Sequence, residues 1–416
     1  MVIGLLLIEF SAKAQEKPIK DFQLSILPML GTDGTDVINY RYKASINLFA
    51  GINGGLQGFE LGGFLNINNG FVEGLQLAGF GNVVNGNFHG FQGAGFMNIV
   101  NGESKGFQGA GFINVIRSGN QGILGSGFMN VVNGDSQSVS GAGFMNVVHG
   151  NHQGLSGAGF MNVTSGNFNG LQGAGFMNVT RGYSMGLSGA GFANISAGNY
   201  MGIQGAGFMN VAANMDGIQA AGFLNVAREV NGLQLGFINV ADTVSGIPIG
   251  FLSIVKRGAL RELEISANDV LLMNASFRIG VPVFYNIFSV GYRPVQNTTF
   301  YAIGYGIGSR LELAERTNLD IELHSSRLYD EWGWNWWDDD HLSRLNELRT
   351  MFVWEVSPVV KFFAGPVLYN HYFRVSDEYG REDLEIAPYN IHEYTSGNRV
   401  RQWWVGARAG LRFVLP

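Results

Sequence analysis

The chain runs to 416 residues, 62 of them glycine, with 14% charged residues and no cysteine. So little charge excludes a disordered tail protein, and the lack of a three-residue period excludes collagen; sheet with many tight turns, membrane, or both remain. A net charge of −6 argues against a nucleic-acid partner, and the missing cysteines remove disulfides, thiolate metal ligands and a cysteine nucleophile.

At the N-terminus, "MVIGLLLIEFSAKAQ" joins an apolar core over residues 2–10 to the small-x-small site Ala12-Lys13-Ala14, which predicts an export leader over residues 1–14. No later run is long and apolar enough for a transmembrane helix. Residues 15–55 hold "FQLSILPML" and "YKASINLFAG", which read as two opening barrel strands.

Residues 56–256 are a repeat array. Phenylalanine in a "GF-x-N" context recurs at 64, 80, 96, 112, 128, 144, 160, 176, 192 and 208, then at 223, 237 and 251. The units of 16, 15 and 14 residues are copies of one supersecondary element. Each has an eleven-residue alternating stretch followed by turn formers such as "SGNFN", and glycine at this density rules out helix. In residues 154–164 one face carries Leu155, Gly157, Gly159, Met161 and Val163; the other carries Ser156, Ala158, Phe160, Asn162 and Thr164. Two architectures fit. In one, each unit is a strand of an antiparallel membrane wall; in the other, each is one coil of a β-solenoid. The charges Glu103, Lys105, Arg117, Asp135, Arg181, Asp216, Arg228 and Glu229 all read as turn residues. That favours the wall, because a charge facing lipid costs about 2–4 kcal/mol at mid-depth. The two shortened units at Phe237 and Phe251 read as lacking one strand residue, which would flip the alternation without a bulge. His89, His149 and His152 read as solvated turn residues.

Residues 257–416 alternate apolar with charged side chains, as in "FYAIGYGIGSRLEL", "NLDIEL" and "RQWWVGARAGLRFVLP". Apolar outside and charged inside is the pattern of a transmembrane β-barrel. It assigns Arg310, Glu312, Asp320, Glu322, His324, Arg349, Glu355, Lys361, Arg408 and Arg412 to the lumen, where they line a pore or form a salt-bridged plug. Short links ("RIGVPVF", "LAERTN", "EVSPVV") alternate with long ones, as periplasmic turns do with extracellular loops. The long loop "DEWGWNWWDDDH" gathers Trp332, Trp334, Trp336 and Trp337 beside Asp338, Asp339, Asp340 and His341. Cation or sugar binding is open to it, but an interfacial aromatic belt with an acidic tip is the favoured expectation. Ser325 and Ser326, next to His324, sit in no nucleophile context, and no metal or cofactor site is expected.

The units "GLQLGFINVA" and "GIPIGFLSIVKRG" resemble the surface-repeat proteins of diderm bacteria, whose "GLQ…G…N" units recur every 14–16 residues. The last strand, with Phe413 near its end, resembles the assembly signal of outer-membrane barrels. The resemblance implies outer-membrane or surface residence and no known activity. The expectation is an all-β protein: a large outer-membrane antiparallel barrel with the repeats as wall strands, or a repeat solenoid attached to a roughly ten-stranded barrel. The expected role is non-enzymatic passage or binding of a small solute or lipid, with a surface-exposed structural or adhesive module as the alternative. Expected partners are outer-membrane lipid, the barrel-assembly machinery and a small solute or glycan.

Overall fold

A computed structural model of the chain describes residues 17–294, 299–329, 343–375 and 385–416. The expected leader, and Trp332, Trp334, Trp336, Trp337, Asp338, Asp339, Asp340 and His341, lie outside the described residues. The fold is all-β, with β-solenoid turns and a closed antiparallel barrel of eight strands. It divides into two compact units, Met1–Met201 and Gly202–Pro416.

In the first unit the repeats are coils, not wall strands. Each 16-residue unit supplies a four-residue strand, such as Met161–Thr164, and a seven-residue strand, such as Phe168–Ala174. Both pair in parallel with the next coil and in register, Asn162 with Asn178 and Leu171 with Leu187. The side-chain amides decide between the two architectures. Asn162 Nδ2 donates to Asn178 Oδ1 at 2.9 Å and to the Gly173 carbonyl at 2.8 Å. Identical residues stacked one coil apart thus use both amide hydrogens and the oxygen, as buried amides require.

The alternating faces hold, with one exception. Ser156, Asn162 and Thr164 are buried, while Leu155 is exposed, so the polar ladder points in and the apolar set points out. Phe160 leaves the face it shares in the alternation with Ser156 and Asn162 because Gly159 and Phe160 turn the corner between strands. Its ring is exposed and stacks on Phe144 and Phe176 at 5.0 and 4.9 Å. At the opposite corner, Gly170 has φ +145°, and a Cβ there would lie 1.9 Å from the Gly154 carbonyl oxygen. Only glycine fits this close, positive-φ approach, which lets Asn169 and Leu171 both face outward.

Three further expectations are corrected. Ile19–Leu27 and Arg41–Asn47 pair in parallel with each other, and the latter with Gly55–Gly62; of the stretch 15–55, expected as barrel strands, the described residues 17–55 therefore begin the solenoid instead. Lys105 lies on the strand Ser104–Ala110, at an outward position beside the turn. His152 is buried inside its coil and stacks on Phe168 at 5.7 Å.

The second unit opens with further coils. Leu224–Leu235 and Ile238–Ile249 run through one corner as single twelve-residue strands. The units at Phe237 and Phe251 do lack one residue of the alternating stretch: Leu235 pairs with Ala220 and nothing answers Ala221, and the corner at Gly236 and Phe237 absorbs the flip, so that Gln234 and Asn239 are both buried. Asp216, Arg228 and Glu229 therefore sit on strands, exposed. Eight barrel strands follow: Leu260–Asn268, Met273–Val281, Phe284–Pro294, Thr299–Ala314, Thr317–Tyr329, Ser343–Glu355, Val360–Arg374 and Arg399–Val414. The first closes on the eighth, antiparallel, from Glu262↔Val414 to Asn268↔Arg408. The links 282–283, 315–316 and 356–359 share one end with the entry from the solenoid; residues 269–272 and the strand ends at Pro294, Thr299, Tyr329, Ser343, Arg374 and Arg399 lie at the other. The barrel has eight strands, not ten, because the two N-terminal strands belong to the coils.

Candidate functional site

The first barrel strand shows how the sequence builds the interior. Along "LRELEIS", Glu262, Glu264 and Ser266 are buried while Leu263 and Ile265 are exposed. Strands two, five, six and eight repeat the device with Arg278, Asp320, Glu322, Glu347, Arg349, Arg408 and Arg412 inward. An eight-stranded barrel is just wide enough for side chains to fill it, so these charges meet.

Arg412 lies at the centre. Its Nε donates to Glu264 Oε2 at 2.8 Å, Nη2 to Glu322 Oε1 at 3.3 Å, and Nη1 to Asp320. Arg310 bridges two acids in bidentate fashion, Glu262 at 2.7 and 2.8 Å and Asp320 at 2.8 and 2.9 Å. Arg278 reaches Glu322 at 3.1 Å, Arg408 reaches Glu264 at 2.9 Å, and Lys361 joins Glu262 to Glu355 at 3.2 and 2.8 Å. Charges taken out of water cost several kcal/mol each unless paired and hydrogen-bonded, and here every carboxylate of the network faces at least one cation.

Ser289 Oγ lies 2.7 Å from His324 Nε2, and His324 Nδ1 lies 3.3 Å from Glu347, which Arg349 also holds. Gly304, Gly306 and Gly308 face inward and make the room: a Cβ at Gly304 would lie 2.5 Å from the His324 ring, and one at Gly308 equally close to the Tyr285 ring. The order hydroxyl, imidazole, carboxylate is that of an acyl-transfer relay. His324 and Glu347 are nevertheless buried within the ion network, and the hydroxyl serves the ring as a hydrogen-bond partner.

Apolar side chains fill the lumen beside this network. Leu328, Leu345, Tyr369 and Trp404 pack with Val270 and Leu271 from one link and Ile386 from another. The interior is thus a packed, salt-bridged core. Of the predicted lumen residues, Arg310, Asp320, Glu322, His324, Arg349, Lys361, Arg408 and Arg412 take that place. Glu312 does not: it is exposed at the short-turn rim, past the last filled layer. Glu355 stands at the same rim, 35% exposed, and pairs with Lys361. Sequence reasoning passed over Glu262, Glu264, Arg278 and Glu347, although "LRELEIS", "NASFRIG" and "NELR" carry the same alternation.

The outer wall is the reverse of the interior. Leu263, Ile265, Val290, Ile321, Leu323, Leu348, Leu368, Val405 and Leu411 are exposed. Trp354 and Phe362 stack at the short-turn rim, and Arg401 lies over Tyr372 at the other. From Trp354 to Arg344 is ten residues, which at roughly 3.3 Å each and a tilt near 40° spans about 25 Å, the height of the apolar band of outer-membrane barrels. The last coil meets this wall: Phe251 stacks on Tyr305 at 5.2 Å, and Asn286 Nδ2 donates to the Gly250 carbonyl at 2.8 Å. Among the described residues no group of three or more His, Asp or Glu is placed to hold a metal ion.

Compared with family models, with curated proteins and with solved structures, the chain matches none.

Proposed function

We propose that the chain is a non-enzymatic bacterial outer-membrane protein in which the eight-stranded barrel is the anchor and the β-solenoid is the interaction module. The observation that carries this is the polarity reversal of the barrel, ionised within and predominantly apolar outside over a band of bilayer height. A barrel standing in water would bury the leucines and expose the charges. The filled lumen favours this reading over passage of a solute. The solenoid enters at the end of the short links, which in outer-membrane barrels face the periplasm. The last coils therefore enter from the periplasmic side, with the strand ends at Tyr329, Ser343 and Arg374 toward the outside.

The absence of native cysteine makes the test direct. Single cysteines replace Asn231, exposed on a coil, and Ser396, exposed on the hairpin at the long-loop end. An impermeant maleimide should label Ser396→Cys in intact cells, and Asn231→Cys only after the outer membrane is opened. Labelling of both in intact cells would place the repeats on the cell surface. Recovery of the protein in the soluble fraction would end the anchor reading.

A further inference from the structure

The geometry points to a binding site for a phosphate-bearing lipid on the outer wall of barrel strands five to eight, a proposal that rests on the membrane reading above. Cross-strand register sets three tiers of outward side chains one above another. Nearest mid-wall, Leu323, Leu348, Leu368 and Val405 align across the four strands. Two residues toward the long-loop end, Ser325, Asn346, Asn370 and Trp403 align in the same way. Two residues further come Arg327, Arg344, Tyr372 and Arg401, with Arg374 opposite Arg399 just beyond.

The middle tier is out of place on an apolar wall. Ser325 Oγ donates to Asn346 Oδ1 at 2.8 Å, and Asn346 Nδ2 donates to Asn370 Oδ1 at 3.2 Å. The amide at the end of this row, Asn370 Nδ2, is buried with no acceptor among the described residues. These side chains and the leucines below them line a depression of about 410 Å³. The upper tier is cationic. Arg344, Arg399 and Arg401 are exposed, and no carboxylate among the described residues pairs with them or with Arg374, whose Nε is also without an acceptor there. Like charges directly opposite each other, as at Arg374 and Arg399, destabilise a sheet unless an anion sits between them.

Guanidinium groups in register suit phosphate oxygens, which accept paired N–H bonds. The hydroxyl and amides below suit the ester or amide linkages of a lipid, and the leucine tier suits its acyl chain. An anionic head, a polar neck and an apolar tail, in that order from rim to mid-wall, describe one amphiphile.

The test uses the full-length protein in neutral-detergent micelles with a fluorescent phosphatidic acid as probe, a fluorescent diacylglycerol, which lacks the phosphate, as the comparison and inorganic phosphate as competitor. The expected result is saturable phosphatidic acid binding that weakens with salt. It should also weaken by about tenfold in R344Q/R401Q, and comparably in N346L/N370L, since each pair removes charge-assisted or buried hydrogen bonds. Heat-modifiable mobility in electrophoresis confirms that the variants keep the barrel. Equal binding of diacylglycerol, or affinity unchanged in both double variants, overturns the proposal. Full displacement by inorganic phosphate at the lipid's own concentration overturns it in favour of a free-anion site. A protein that stays dispersed without detergent fails the membrane reading itself, whereas one that needs detergent but ignores phosphatidic acid fails this proposal alone.

Discussion

Glu60 shows how much one residue can control in a stacked fold. It stands where later coils carry Gln76, Gln92 and Gln108, each donating its amide to the coil before it at 2.7–2.8 Å. A chain of donors needs an acceptor at its head, and Glu60, fully buried, takes amides from Asn47, Asn53, Asn68 and Gln76. Burial pushes its carboxyl up to about 7, against the four amides that favour the anion. His152, buried in a later coil, is pushed down to about 4, again by burial. The linkage signs are opposite. What Glu60 contributes is complete below its ordinary value of 4.5 and is lost as pH rises through 7; what His152 contributes is complete above 6.5 and is lost as pH falls through 4. Each is worth about 3 kcal/mol across its window, so over roughly pH 4.5–6.5 the two slopes offset each other. In thermal melts followed by circular dichroism, these two groups should therefore add little net pH dependence to the coils over that range. Glu60→Gln should lose stability toward acid. His152→Phe, which repeats the Phe168 stacked on it, should gain stability toward acid. Two variants with the wild-type pH profile would disprove both linkages.

At the scale of the element, the asparagine ladder explains both the repeat and the limit of what its sequence could tell. The 16-residue period and the inward–outward alternation are legible in residues 154–164, as is the ionised barrel interior in "NLDIEL". The sense of strand pairing is not. A period says that units match, and Ala against Phe packs acceptably in an antiparallel pair; what decides is where the second hydrogen of each Asn amide goes, a three-dimensional fact. Glu60 was missed for a related reason, since a lone acid among glutamines has no periodic signal. The amide account can be tested at Asn130, which donates to the Gly141 carbonyl and to Asn146 Oδ1, both at 2.9 Å, and accepts from Asn114. Asn130→Leu strands those partners and should cost about 2–4 kcal/mol. Asn130→Asp keeps only the acceptor and buries a charge, so it should cost more. Because coils contact only their neighbours, faster hydrogen exchange should appear around residues 114–146 and leave coils near residue 66 unchanged. Uniform loss of protection along the whole array would refute this local account.

At the scale of the molecule, one inside-out rule serves two solvents. The coils bury amides and expose Leu171, 51% accessible; the barrel buries ion pairs and exposes Leu323, 56% accessible. By exposure alone these leucines are equivalent, yet the proposed function gives them different surroundings, water for the first and acyl chains for the second. Arginine tells the two apart. In water an exposed Leu→Arg change is worth no more than about 0.5 kcal/mol, whereas at the middle of a bilayer-spanning wall it costs about 2–4 kcal/mol. Leu171→Arg should therefore leave the melt of the repeats unchanged. Leu323→Arg should lower the fraction of protein that reaches the heat-modifiable, membrane-integrated form. Equal tolerance of both substitutions would remove the barrel from the membrane. Equal intolerance would bring the leucine row of the coils into contact with lipid as well. That second outcome would explain why this solenoid leaves an uncharged apolar edge exposed, which water gives it no reason to do.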